Sequence, residues 1–253
     1  MCRLLRTLAS AALSGGALLA FDSSPSSAAP ASLGTNLIIN RDAEAGPGSG
    51  SGNDVEAIPG WFTTSNFTVV QYGAPAFPTS AISTTIGGGA NFFAGGPDTF
   101  FSSAVTQAVN VSALASSIDA GSDLITLSGF LGGFDGQDDN MTVTATFLDE
   151  SSISLGMLTI GPVTEPDRDG ATTLLFRSIS GEVPEGTRSI IVEMDATRFE
   201  GAYDDGYADN LSLVVSGGVP AVPEPTTITL LLTGLTGLGA RKRLAMIKHA
   251  IFS

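Results

Sequence analysis

Between residues 32 and 216, apolar and polar positions alternate with a period of two in one short run after another. Met141-Thr142-Val143-Thr144-Ala145-Thr146-Phe147 keeps the alternation for seven residues. That is the pattern of a strand with one face buried and one wet. Ile190, Val192 and Met194 share one face of a second run, and Leu211, Leu213 and Val215 share one face of a third. Residues 37–39, 67–72, 106–111, 125–131, 153–160 and 172–179 are further expected strands. Clusters of Gly, Pro, Asp, Asn and Ser separate them, as turns require. Only 112–118 reads as helical, and it is short. About nine strands at this spacing predict an all-β fold, a two-sheet antiparallel jelly-roll sandwich.

Two stretches break the alternation. Residues 45–60 are rich in Gly and Ser and lead to Pro59-Gly60-Trp61. Residues 79–98 contain Gly87-Gly88-Gly89 and Asn91-Phe92-Phe93-Ala94-Gly95-Gly96. Both read as long loops, which in a compact domain tend to carry function or to move. Phe92 and Phe93 are expected to plug the end of the sandwich, with a binding rim as the alternative.

The two ends of the chain have a different texture. Arg3 and Arg6 precede an apolar run from Leu8 to Phe21, and Ala29-Pro30-Ala31 supplies a small-residue cleavage site. This is the layout of a secretory signal peptide over 1–31. At the other end, Val222-Pro223-Glu224-Pro225 opens into an apolar stretch that stops at Arg241-Lys242-Arg243. Prolines keep the box extended, and a basic cluster holds the end of an apolar span on the cytoplasmic side. The stretch from Thr226 to Ala240 is shorter than the about 20 residues of a spanning helix. It is also diluted by threonines and glycines. The pattern over 222–243 resembles the PEP-CTERM sorting signal of bacterial exported proteins. That resemblance implies a hydrophobic sorting helix, an exosortase-type processing enzyme as partner and a transient anchor in the inner membrane. Residues 217–221 then form a linker, and 244–253 a tail that such signals usually lack.

Composition narrows the chemistry of the intervening domain, 32–216. It contains no cysteine, histidine or lysine, since Cys2 and His249 lie in the terminal segments. Ser-His-Asp triads, cysteine nucleophiles, histidine-ligated metals and lysine Schiff bases are therefore excluded. Five arginines (41, 168, 177, 188 and 198) stand against 23 carboxylates between Asp42 and Asp209, a net formal charge of −18. Long-range attraction to nucleic acid or to an anionic membrane is disfavoured. Carboxylates suit a hard cation such as calcium, although solubility alone accounts for most of them.

Three segments carry candidate sites. Asn36-Leu37-Ile38-Ile39-Asn40-Arg41-Asp42-Ala43-Glu44 opens the domain, and Tyr203-Asp204-Asp205-Gly206-Tyr207-Ala208-Asp209-Asn210-Leu211 closes it. With Pro59-Gly60-Trp61, this pairing resembles the galactose-binding-like jelly roll shared by many carbohydrate-binding modules. The resemblance implies neighbouring first and last strands and a structural calcium where they meet. It places Glu44 and Asp209 as ligands with Asp42 assisting. The blander alternative is a turn capped by Asp209 and Asn210. Tyr203 and Tyr207, beside acids, are candidate glycan contacts. Trp61 is expected in the core. Asp135-Gly136-Gln137-Asp138-Asp139-Asn140 lacks EF-hand spacing and reads as a polar turn.

These readings converge on an exported, non-catalytic cell-surface or extracellular-matrix protein whose sandwich contacts glycan or exopolysaccharide. Two other functions stay open. A small glycoside hydrolase or lyase needs only paired carboxylates, and a structural protein would assemble through its surfaces.

Overall fold

The structure, a computed structural model of the chain, describes residues 30–106 and 108–218. The expected signal peptide, apart from residues 30 and 31, and the expected sorting signal over 222–243 with its tail lie outside them. The described chain runs β1 (Trp61–Thr63), β2 (Thr68–Gln71), α1 (Ser80–Ile86), β3 (Asn91–Pro97), β4 (Phe101–Thr106) and β5 (Val109–Asn110). It continues through α2 (Ala115–Ile118), β6 (Leu124–Gly133), β7 (Asn140–Leu148) and β8 (Ser154–Ile160). The last three strands are β9 (Thr173–Glu182), β10 (Ser189–Thr197) and β11 (Tyr203–Ser216).

The strands form two antiparallel sheets. One has the order β1-β4-β10-β7-β8, with β5 also on β10, and the other has the order β2-β3-β11-β6-β9. The chain passes between the sheets at every connection except β2–β3, β4–β5 and β7–β8, so the expected β-sandwich is observed. The alternating residues of β7 and β10 face inward: Met141, Val143, Ala145, Phe147, Ile190, Val192, Met194 and Ala196 join the buried core with Leu127, Leu131, Leu211 and Leu213. Trp61 is in that core too, edge-on to Phe93 with ring centroids 5.5 Å apart and its indole N–H on the Asn40 carbonyl at 3.1 Å. Among the described residues, no helix is long and apolar enough to cross a membrane.

Several expected elements change. Residues 37–39 are not a strand. The Asn36 side chain donates to the Leu211 carbonyl at 2.9 Å and accepts from the Leu213 N–H at 3.0 Å, standing in for ladder bonds. The expected strand at 106–111 divides into the end of β4 and the two-residue β5. The expected loop at 79–98 is instead α1 followed by β3. Phe92 and Phe93 do not plug an end: adjacent on β3, they enter opposite faces, Phe93 the inter-sheet core and Phe92 a second cluster. β11 begins eight residues before the alternation at Leu211 that predicted it.

Candidate functional site on the outer face of the five-stranded sheet

β11 is the central strand of its sheet and positions most of the chemistry. Alternation sends Tyr203, Asp205, Tyr207 and Asp209 to the face turned away from the other sheet. Asn210 adopts a left-handed conformation, φ 49°, which asparagine tolerates. The resulting bulge between Asp209 and Ser212 returns Leu211 to the core while Asp209 stays outside. On this outer face a second apolar cluster gathers Val70, Tyr72, Ala74, Phe92, Leu174 and Tyr207. The α1 segment lies over it, with Phe77, Ile82 and Ile86 packed against the cluster.

The predicted acids at the two ends of the domain meet at one corner of this face. Glu44 Oε1 accepts the backbone N–H groups of Ala90 and Asn91, each at 2.8 Å. Asp209 Oδ2 accepts the Tyr72 hydroxyl at 2.7 Å, and Oδ1 accepts the Asn210 N–H at 2.6 Å. Both carboxylates face the Gly88-Gly89 link. A Cβ on Gly88 would strike Asp209 Oδ2, and one on Gly89 would lie 2.6 Å from Glu44 Oε1. Burial pushes the Asp209 carboxyl up to about 8, and the negative charges of Asp42 and Glu44 add to the rise. Two carboxylates, a donor type that suits calcium, thus stand beside glycines that leave them room. Among the described residues, no group of three or more His, Cys, Asp or Glu side chains is arranged to hold a metal ion.

A second polar centre, at the start of β11, gathers residues that sequence reasoning passed over. Asp139, taken for part of a turn, is fully buried. Its Oδ1 accepts the N–H groups of Phe199 at 2.6 Å and Glu200 at 2.9 Å, and its Oδ2 that of Asp205 at 3.1 Å. Tyr207 donates its hydroxyl to Asp205. Arg168, also buried, spends its guanidinium on the carbonyls of Asp135, Ala171 and Gln137 at 2.9, 2.5 and 2.7 Å. It thereby ties two loops together. Burial raises Asp204 to about 8 and Asp205 to about 6, with Asp139 adding to both. Asp204 Oδ2 and the Tyr203 hydroxyl are buried without a hydrogen-bond partner. The signal for this centre is Tyr-x-Asp-x-Tyr-x-Asp over 203–209, a period-two run of polar aromatics and acids.

The two predicted glycan-contact tyrosines are placed differently from a surface platform. Tyr207 is fully buried, its ring 5.2 Å from Phe92 and 6.1 Å from Phe77. Tyr203 is half-buried and edge-on to Phe77 at 5.1 Å. The open aromatic on this face is Phe176, 55% exposed and edge-on to Phe130 at 5.4 Å. From this pair a row of hydroxyls runs along the same face. Ser128 is opposite both Ser178 and Ser212, and Thr126 bonds Ser180 at 2.8 Å.

No family model matches the sequence, and no curated protein matches it. Solved structures do resemble the fold. A Stig cyclase from Fischerella sp. TAU is 14% identical, with 72% of this chain and 97% of that one covered and a TM-score of 0.47. The CBM22-1 xylan-binding domain of Paenibacillus barcinonensis Xyn10C is 12% identical over 67% and 93% of the two chains, at 0.38. The enzymatically active domain of tailspike protein 4 from bacteriophage CBA120 is 14% identical over 71% of this chain, at 0.42. This chain spans 21% of that tailspike chain.

Proposed function

We propose that the sandwich is a non-catalytic, carbohydrate-contacting domain that lays a neutral glycan along the outer face of its five-stranded sheet. The observation that carries this reading is the exposed Phe176 ring, braced by Phe130 at the head of a hydroxyl row. An aromatic face packs on the C–H face of a sugar while hydroxyls and carboxylates bond its rim. The net charge of −18 favours neutral over acidic polysaccharide. A non-catalytic role is supported by the engagement of the acids on this face: Asp205 holds Tyr207, Asp209 holds Tyr72, and Glu44 holds two backbone N–H groups. A glycan array probed with the full chain is expected to show binding to neutral polysaccharides. Phe176→Ala is expected to weaken it by about five- to tenfold. Equal binding by the variant, or none by either protein, contradicts the reading.

The domain is, in the same proposal, exported. It is sorted by Val222-Pro223-Glu224-Pro225 and Arg241-Lys242-Arg243, processed by an exosortase-type enzyme, and displayed at the cell envelope or released into exopolysaccharide. The support is the pairing of a signal-peptide pattern with a proline box, short apolar span and basic stop. Cell fractionation of the natural chain beside a variant with Pro223, Glu224 and Pro225 changed to alanine tests it. The variant should accumulate unprocessed in the membrane fraction, and identical size and distribution of the two proteins sink the idea. Calcium at the Asp42, Glu44 and Asp209 corner completes the proposal, as a structural ion.

A further inference from the structure

Four asparagines of the chain open an Asn-x-Ser/Thr tripeptide: Asn66-Phe67-Thr68, Asn110-Val111-Ser112, Asn140-Met141-Thr142 and Asn210-Leu211-Ser212. That tripeptide accepts N-linked sugar in exported chains, and a chain rich in serine and threonine also acquires it by chance. The structure separates the four. Transfer makes a bond from the side-chain amide nitrogen, Nδ2, to the anomeric carbon of a sugar, so that nitrogen must be exposed and free. In three of the tripeptides it is engaged. Asn66 Nδ2 donates to the Pro97 carbonyl at 2.8 Å, and the buried Thr68 hydroxyl donates to the Asp54 carbonyl at 2.9 Å. Asn140 Nδ2 donates to the Asp138 carbonyl at 2.8 Å, and Asn210 Nδ2 to the Ile86 carbonyl at 3.0 Å.

Asn110 differs on each count. It is the last residue of β5 and is exposed, as is Ser112. Its Oδ1 accepts the Ser112 N–H at 2.8 Å, and among the described residues its Nδ2 has no partner. This side-chain turn ties the amide oxygen to the backbone and leaves the nitrogen for the solvent side. A donor on Oδ1 also draws electron density out of the amide, which makes an Nδ2 proton easier to lose.

The place of Asn110 in the fold leaves room for a bulky adduct. β5 lies on β10, with Ser189 opposite Asn110, in the sheet that does not carry Phe176. Ser189 pairs with Leu148 at the end of β7, and Ser216, the end of β11, pairs with Leu124 at the start of β6. Because β6 and β7 are joined at the other end of the sandwich, Asn110 stands at the end where the chain leaves β11. We propose that Asn110 is an N-glycosylation acceptor whose donor is a polyprenyl-diphosphate-linked oligosaccharide. The bond from Nδ2 to the anomeric carbon forms as the bond from that carbon to the diphosphate oxygen breaks. The diphosphate leaves with the electron pair, and Nδ2 gives up one proton. The donor is used outside the cytoplasm, so the modification in the cell rests on the export reading above.

The test has two arms. In the first, the full chain, purified in mild detergent, is incubated with a polyprenyl-diphosphate-linked oligosaccharide and an oligosaccharyltransferase that reads Asn-x-Ser/Thr alone. Peptide mass spectrometry then locates the adduct. The expected result is a sugar mass increment on the peptide holding Asn110 and none on those holding Asn66, Asn140 and Asn210. Ser112→Ala changes an exposed residue, keeps the backbone N–H of the turn and should lose the increment, whereas Ser112→Thr should keep it. A bare Asn110, or equal modification of all four asparagines, overturns the proposal. In the second arm the exported chain is recovered from the cells that naturally make it, and the Asn110 peptide should carry sugar. An exported chain without it also overturns the proposal. A chain retained inside the cell contradicts the export reading instead, and the first arm still decides this one.

Discussion

Asp204 is a carboxyl with nowhere to put its charge. It is fully buried; Oδ1 accepts only the long 3.3 Å bond from the Gly206 N–H, and Oδ2 has no partner. Its raised value, about 8, follows first from burial, then from the nearby charges of Asp139 and Asp205. The unfolded carboxyl titrates near 4. Between those values the native state binds a proton that the unfolded state releases, so stability falls as pH rises from about 4 to 8. Asp205, pushed to about 6, acts in the same sense over a narrower window. At about 1.4 kcal/mol per unit, Asp204 alone changes stability by an amount on the order of a few kcal/mol across that range. The chain is therefore expected to melt at a higher temperature at pH 5.5 than at pH 8. Asp204→Asn keeps the shape and removes the titration, so the variant's melting temperature should fall less over the same interval. Thermal unfolding at several pH values checks this, and parallel slopes for the two proteins contradict it.

At the level of elements, legibility followed the period. β7 and β10 were plain because threonine and acid alternate with Val, Ile, Met and Phe, and each has one wet face. β3 was hidden for the opposite reason. Both of its faces are covered, one by the other sheet and one by the α1 segment, so Asn91-Phe92-Phe93-Ala94-Gly95-Gly96-Pro97 shows no alternation. Its glycines looked like loop but serve close approach: Gly96, at φ 102°, runs against the Asn66 backbone, and Gly95 against the Asp204 carboxyl. β11 was half hidden, because polar residues on a sheet face read as turn until Phe77 and Phe92 are seen to enclose them. The corner of Glu44 and Asp209 was legible from the two end motifs. Asp139 and Arg168 were not, since their partners are backbone groups of loops whose meeting no local pattern announces. Phe176 and Phe130 were likewise visible only after register placed them side by side.

For the molecule as a whole, the question is what closes the sandwich. The opening segment is laced to the last strand: the Gly34 N–H bonds the Val215 carbonyl at 2.8 Å, that of Leu37 the Leu213 carbonyl at 2.9 Å, and that of Leu211 the Arg41 carbonyl at 2.9 Å. With no cysteine in the domain, no disulfide locks this seam. Where it reaches Asp42, Glu44 and Asp209, like charges meet, and burial keeps Asp209 protonated up to about 8. A hard cation there would replace that proton and turn the repulsion into a clasp between the two ends of the domain. A ligand bound only by the native state at about 100 times its Kd adds about 2.7 kcal/mol. At about 2–4 °C per kcal/mol for a domain of this size, calcium should raise the melting temperature of the natural chain by roughly 5–10 °C. Because the cation competes with a proton, the rise should be larger at pH 8 than at pH 6. Asp209→Asn retains an oxygen for the Tyr72 hydroxyl but cannot ionise. It should show no calcium-dependent rise, and in calcium-free buffer at pH 8 it should be at least as stable as the natural chain. Equal calcium shifts for the two proteins would place any bound ion elsewhere, and no shift in either would leave the backbone lacing to hold the seam alone.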